Sequence, residues 1–139
     1  MLHRYTFDTG FLTLALTNRL PEKWFSPWKE VIKREGIGYI IEPVVMETYY
    51  QLMAKGMSKE KARDSIMKIK SLDSMQILAL DDNDAFRAGV HHMTFHELSF
   101  VDCFILAIAD KLHLKLYTTD SSLKMCAKKI NIECDYLPI

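Results

Sequence analysis

Leu98–Asp120, LSFVDCFILAIADKLHLKLYTTD, constrains this chain more than any other stretch. Ser99 with Asp102 three residues on is a helix start, because a cap hydroxyl and a first-turn acid both satisfy the unpaired N–H groups there. The apolar run Cys103–Ala109 makes a core helix. After a short connection comes a brief strand, Leu114–Thr118. A buried helix feeding a buried strand belongs to a layered α/β protein. Asp102 then stands at the mouth of the helix and Asp120 just past the end of the strand. Both are places where such a fold presents groups to a ligand.

The remaining segments alternate in the same way. Leu2–Phe7 reads as a strand that empties at Asp8-Thr9-Gly10 into a short apolar helix, which gives out by Asn18–Pro21. Ser26-Pro27 predicts a second helix, with Ser26 as N-cap, Pro27 at the first helical position and Gly36 as the C-terminal stop. Tyr39–Ile41 is a second strand, and Glu42-Pro43 opens a helix whose stripe is Val45, Tyr49 and Leu52, ended by Gly56. Ser58 caps another helix with Ala62, Ile66 and Ile69 on one face. Met75–Leu80 is a third strand, and Asp81 caps a helix that runs to Met93. Past Asp120 come a helix, Ser122–Lys129, and a last strand near Ile132–Tyr136. The order β α α β α α β α α β α β predicts a three-layer α/β/α domain around a central, mostly parallel sheet. No repeat or linker divides residues 1–139.

Composition narrows the functional classes. No apolar run approaches the roughly 18–20 residues of a membrane span, and the start, MLHRYTFDTG, has no cleavable signal pattern. Cys103, Cys126 and Cys134 are odd in number and lack CxxC spacing, which suits a reducing cytoplasm better than a disulfide framework or a zinc ribbon. The net charge is +0, so a nucleic-acid partner would have to meet a local basic face. Lys59, Lys61, Arg63, Lys68 and Lys70 on one helix are either such a face or a solvated surface.

Four acids are placed to converge. In a parallel sheet the strand C-termini and the following helix N-termini share one rim. Asp8 follows the first strand, Glu47 lies in the second turn after the second, Asp102 opens its helix and Asp120 follows the fourth strand. Each has a bland reading as an N-cap or a solvated carboxylate. Together they differ, because two like charges about 4 Å apart repel by roughly 4 kcal/mol at an effective dielectric near 20. Such a cluster protonates or separates unless cations neutralise it. Oxygen ligands without His or Cys select Mg²⁺ or Mn²⁺, which can activate a water and stabilise the leaving oxygen of a phosphodiester.

Four segments, YTFDTGFL around Asp8, EPVVMETYYQL around Glu47, LSFVDCFILAIAD around Asp102 and LYTTDSSL around Asp120, resemble the PIN-domain ribonucleases, especially the small VapC-type toxins. The likeness spans nearly the whole chain. It implies a Rossmann-like PIN domain over 1–139, binding one or two Mg²⁺ or Mn²⁺ ions and cleaving RNA endonucleolytically. Asp8, Glu47, Asp102 and Asp120 match the family's four acidic positions and are the implied catalytic and metal-binding residues. Thr9, Ser99 and Thr119 match its hydroxyl neighbours, which would orient carboxylates or waters. The resemblance also implies an RNA substrate, a small antitoxin partner and a homodimer, while the apolar-run lengths imply no membrane. Two departures are Gly10, where Asn or Ser is common, and Ser121-Ser122, where many members carry a further acid. Both leave open a weakly active or non-catalytic RNA-binding or dimerisation module; an RNA-processing nuclease with no antitoxin is a further alternative. An unrelated receiver-type α/β domain also gathers acids, but needs a lysine after a later strand, and none follows Asp120 before Lys124.

His91, His92 and His96 lack a carboxylate at ligand spacing and read as surface or RNA-edge histidines. Asp110 reads as a helix-end polar residue, and Cys103 as core rather than a nucleophile. Trp24, Phe25 and Trp28 allow two readings, core packing or a contact for a protein partner.

Overall fold

The computed structural model describes residues 2–138. Its sheet has five strands, β1 (His3–Phe7), β2 (Gly36–Ile41), β3 (Met75–Leu78), β4 (Lys115–Thr118) and β5 (Cys134–Tyr136), in the spatial order β3-β2-β1-β4-β5. Every pairing is parallel. Helices α1 (Thr9–Leu16) and α2 (Phe25–Ile32) join β1 to β2. Helices α3 (Glu42–Ala54) and α4 (Lys59–Lys70) join β2 to β3, and α5 (Asp82–Thr94) and α6 (Phe100–Leu112) join β3 to β4. The last crossover uses α7 (Ser121–Lys129).

The chain moves outward from β1 to β3, then returns to lay β4 on the other side of β1 and continues to β5. With right-handed crossovers, α1–α4 cover one face and α5–α7 the other. The reversal between β1 and β4 is the switch point, where the crevice of such a sheet opens at the strand C-termini. The α/β architecture predicted from the alternation is the one found.

Local chemistry explains the boundaries. Helix α6 starts where the Asp102 N–H donates to Ser99 Oγ at 3.1 Å, and ends where His113 turns left-handed at φ 55°. Between them Cys103 and Ile105–Ala109 are all buried, so this helix is core on most of its circumference. Ser58 caps α4, and Asp81 with Asp84 forms a reciprocal capping box on α5. The stripe Ala62, Ile66 and Ile69 is buried as its spacing predicts.

Two boundaries differ. A 3₁₀ turn, Glu22–Trp24, runs directly into α2, so the helical backbone is established before Ser26 and the cap position falls on Trp24, which makes no side-chain cap bond. Pro27 sits in the first turn, where its missing N–H leaves no helical bond unmade. Gly36 does not stop α2; Lys33 caps it, Arg34 turns the chain at φ 63°, and Gly36 is the first, buried residue of β2.

The two indoles serve the core. Phe7 stacks on Phe11 at 4.6 Å, Trp28 meets Phe7 edge-on at 5.8 Å, and Trp24 meets Tyr117 at 5.5 Å. Within Trp24–Trp28, Phe25 is the aromatic ring left at the surface. Among the described residues no helix is long and apolar enough to cross a membrane. Leu106 is fully buried at the centre of α6. Leu106→Ala is expected to cost about 3 kcal/mol, measured as a lower denaturant midpoint at unchanged slope.

Candidate active site

The register Phe7↔Tyr117 across β1 and β4 sets Asp8 beside Thr118. Thr118 is fully buried, and its hydroxyl donates to Asp8 Oδ2 at 2.5 Å. The Thr119 N–H donates to the same oxygen at 3.1 Å, and the Phe11 N–H to Oδ1 at 2.8 Å. Asp8 is thus both the N-cap of α1 and an acid fixed by three donors at the foot of the crevice. Thr118 Oγ1 also accepts from the Asp120 N–H at 3.0 Å. Asp120 in turn caps α7, its Oδ1 accepting from the N–H groups of Ser122 at 2.8 Å and Leu123 at 3.3 Å. One hydroxyl ties the two strand-end acids together.

Glu47 arrives from α3, held by a 2.7 Å hydrogen bond that Thr9 Oγ1 donates to its Oε1. Asp102 projects from the first turn of α6. Asp8, Glu47, Asp102 and Asp120, with Thr9, Ser99 and Thr119, all line one cavity of about 500 Å³. Every site residue expected from the sequence is therefore in its wall. Tyr50, Gln51 and Lys55 of the α3 side complete that wall, together with Thr13 and Leu14.

The electrostatics set these acids apart. Burial raises the Asp8 carboxyl above its ordinary value against the pull of its three donors, and repulsion from Asp120 adds to the rise. Burial, then repulsion from Asp120, with Asp8 and Glu47 adding to it, pushes Asp102 up to about 6. Asp84 on α5 is the contrast. Burial pushes it upward as well, but the Asp81 N–H and the Lys111 ammonium, 3.2 Å away, outweigh this and leave it below the usual carboxylate range. A buried structural acid in this protein is given a cation; the crevice acids have none at ion-pair distance among the described residues.

The donor set suits a hard divalent cation, being carboxylate and hydroxyl with no His or Cys in the cavity wall. Among the described residues, no three His, Cys, Asp or Glu side chains are grouped closely enough to hold an ion unaided. A hard cation bound by one or two of these carboxylates would take its other positions from waters and a substrate phosphate.

Gly10 has a steric explanation. A Cβ built there would stand 1.9 Å from Thr119 Oγ1 and 3.0 Å from its Cβ. The space that a side chain at position 10 would take is filled from β4's end by Thr119, so a hydroxyl still stands at that point of the wall. Thr118 and Lys55 are the residues that sequence reading missed. Thr-Thr-Asp does not reveal which threonine turns inward, and Lys55 looks like any lysine at a helix end.

The weaker candidates resolve as surface or core. His92 packs at a tilt against Phe100, ring centroids 4.8 Å apart, and approaches Cys103 Sγ at 3.8 Å, and burial lowers His91 below its ordinary value. Asp110 makes an exposed ion pair with Arg87 at 3.7 Å. Cys103 is buried and its thiol is pushed up by burial, which makes it a poor nucleophile.

The sequence matches the PIN-domain family over residues 5–129, and the chain belongs to that family, whose members are generally nucleases. No curated protein matches it. Solved structures share the fold at low identity. The VapBC2 structure from Rickettsia felis, bound to a promoter DNA fragment, superposes with a TM-score of 0.71 at 17% identity, covering 96% of this chain and 98% of that one. A toxin–antitoxin complex from Klebsiella pneumoniae gives 0.60 at 19% identity, with 84% and 87% covered. VapBC-1 from nontypeable Haemophilus influenzae gives 0.58 at 14%, with 96% and 97% covered.

Two outcomes test the geometry. Gly10→Ala is expected to displace Thr119 and lower activity, whereas Thr119→Ser, which keeps the hydroxyl in place, should lower it far less. Asp102→Asn is expected to stabilise the metal-free protein by about 1–2 kcal/mol above pH 7. The sign follows from the raised carboxyl: the folded state holds a proton the unfolded state releases, so stability falls as pH rises from near 4 through about 6. The gain from the substitution should therefore fade below pH 4, as read by thermal melts across pH.

Proposed function

We propose that this protein is a metal-dependent endoribonuclease, the toxin of a type II VapBC-like toxin–antitoxin pair, acting through Asp8, Glu47, Asp102 and Asp120. One observation carries the reading: four carboxylates line a single crevice at the sheet's switch point, and Asp8 and Asp102 are raised by burial and mutual repulsion with no paired cation. One or two Mg²⁺ or Mn²⁺ ions, when bound, would neutralise the carboxylates, lower the pKa of a bound water and offset charge on the leaving oxygen. Asp8 and Asp102 are the proposed direct ligands, and Glu47 and Asp120 hold ions, bound water or the attacking hydroxide.

The chain's own groups account for the rest. Thr118, Thr119 and Phe11 hold Asp8 in one orientation, so no side-chain freedom is lost when the crevice fills. Thr9 aims Glu47 by its 2.7 Å bond. Asp102 exchanges its proton near neutrality, so a substrate-bound cation and a solvent proton compete for it. The antitoxin part of the proposal is supported by the toxin–antitoxin complexes among the solved structures of this fold; a homodimer is the proposal's further part. Exposed apolar side chains, Phe86, Val90 and Met93 on α5 and Phe100 at the start of α6, offer surface for such partners.

Purified protein with Mg²⁺ or Mn²⁺ is expected to cut an RNA oligomer, and a chelator to stop it. Asp8→Asn and Asp102→Asn should each lower cutting by more than about 100-fold with the fold intact by circular dichroism. Cutting should rise with pH through about 6 as Asp102 ionises, the midpoint falling as metal concentration rises. Activity that survives both substitutions would sink the acidic mechanism. A small open reading frame overlapping this one is expected for a toxin, and its absence would favour a housekeeping nuclease.

A further inference from the structure

Lys55, the residue that caps the C-terminus of α3, lines two cavities at once. The first is the acidic crevice, in whose wall it is the single cation. The second, about 470 Å³, lies between the end of α3 and the start of α4 and is lined also by Thr17, Gly56, Ser58 and Lys61. Among the described residues no carboxylate lines it. Neither Lys55 nor Lys61 makes an ion pair among the described residues, whereas Lys70, on the same helix as Lys61, is held by Glu42 at 2.8 Å. Ser58 Oγ accepts from the Lys61 N–H at 3.2 Å, which leaves its own proton free to donate outward. Gly56 makes the turn at φ +100°, and a Cβ there would meet nothing, so the floor beside the lysines is open.

We infer that this second cavity is a backbone-phosphate subsite, in which Lys55, Lys61 and the Ser58 hydroxyl hold a phosphate of the RNA strand next to the one being cut. The inference rests on the nuclease reading of the acidic crevice and adds to it a side of entry for the strand. A polyanion entering a wall of four carboxylates meets repulsion, and two unpaired ammonium groups alongside offset it. Lys55, shared by both cavities, is the point at which the strand passes from one charge sign to the other. The net charge of +0 conceals this, because it sums acids and bases that line neighbouring cavities.

The test uses the full chain and a fluorescent single-stranded oligoribonucleotide in chelator, so that nothing is cut, with binding followed by anisotropy over a KCl series. Lys55→Gln/Lys61→Gln is expected to weaken binding at least tenfold in low salt. It should also flatten the dependence of log K on log salt by about 0.7 for each lysine. Lys55→Arg/Lys61→Arg should keep both. Lys33→Gln, which removes a cation between α2 and β2 on the opposite rim, should change neither. With Mn²⁺ present, the Gln pair should raise KM while leaving kcat near the wild-type value. An unchanged slope in the Gln pair would overturn the inference even where wild-type protein cuts RNA. Failure of wild-type protein to cut RNA strikes instead at the nuclease reading. Loss of binding to a polyglutamate peptide with RNA binding intact would overturn the inference in favour of an acidic protein segment. Full competition by inorganic phosphate at a few millimolar would reduce the site to a free-anion pocket.

Discussion

The hydrogen bond from Thr118 to Asp8 joins residues 110 positions apart in sequence, and the crevice depends on it. It exists because β4 returns across the sheet to pair with β1 rather than continuing outward past β3. That pairing puts a strand-end acid and a strand-end hydroxyl side by side, buries both, and gives the same hydroxyl a second bond to the backbone of Asp120. Glu47 and Asp102 are then added from helices on the two sides of the switch point. None of the four acids is near another in sequence, so the crevice exists only in the folded chain.

Two carboxylates on neighbouring elements, buried Asp84 and half-buried Asp102, show what the crevice gives up. Asp84 has a capping partner and a lysine and settles below the usual range; Asp102 has neither a lysine nor an arginine and rises to about 6. The protein has 18 basic residues, as many as its acids, so cations were available for placement near the crevice. Only Lys55 lines it. The charge imbalance is local and opposes folding, which is the pattern of a site shaped for a ligand of opposite sign rather than for stability.

Much of this was legible in the sequence because periodicity and capping chemistry are local. The strand–helix alternation, the caps at Ser58, Asp81 and Ser99, and the four acids could all be read from neighbours a few residues away. What could not be read depended on contacts across the sheet. Ser26 looks like a cap, but a 3₁₀ turn had already set the backbone before it. Gly36 looks like a helix stop, yet it begins β2, since Arg34 supplies the left-handed turn. Trp24 and Trp28 allowed a partner surface, until Phe7, Phe11 and Tyr117 were seen to need their rings. Gly10 reads as a lost polar group in sequence and as room for Thr119 in the structure.

Three of the four acids lie at helix starts, Asp8 and Asp120 as caps and Asp102 in a first turn. Each therefore meets the positive end of a helix dipole, worth about 0.3–1 kcal/mol at such positions. In this crevice burial and repulsion among the acids work against it. The dipoles and the donors on Asp8 thus hold the acids in place without neutralising them, as the rise at both Asp8 and Asp102 shows. The fold tolerates the crevice as it stands and leaves a residual field that a divalent ion would satisfy. Among the described residues, Lys55 is the one cationic side chain in the crevice wall.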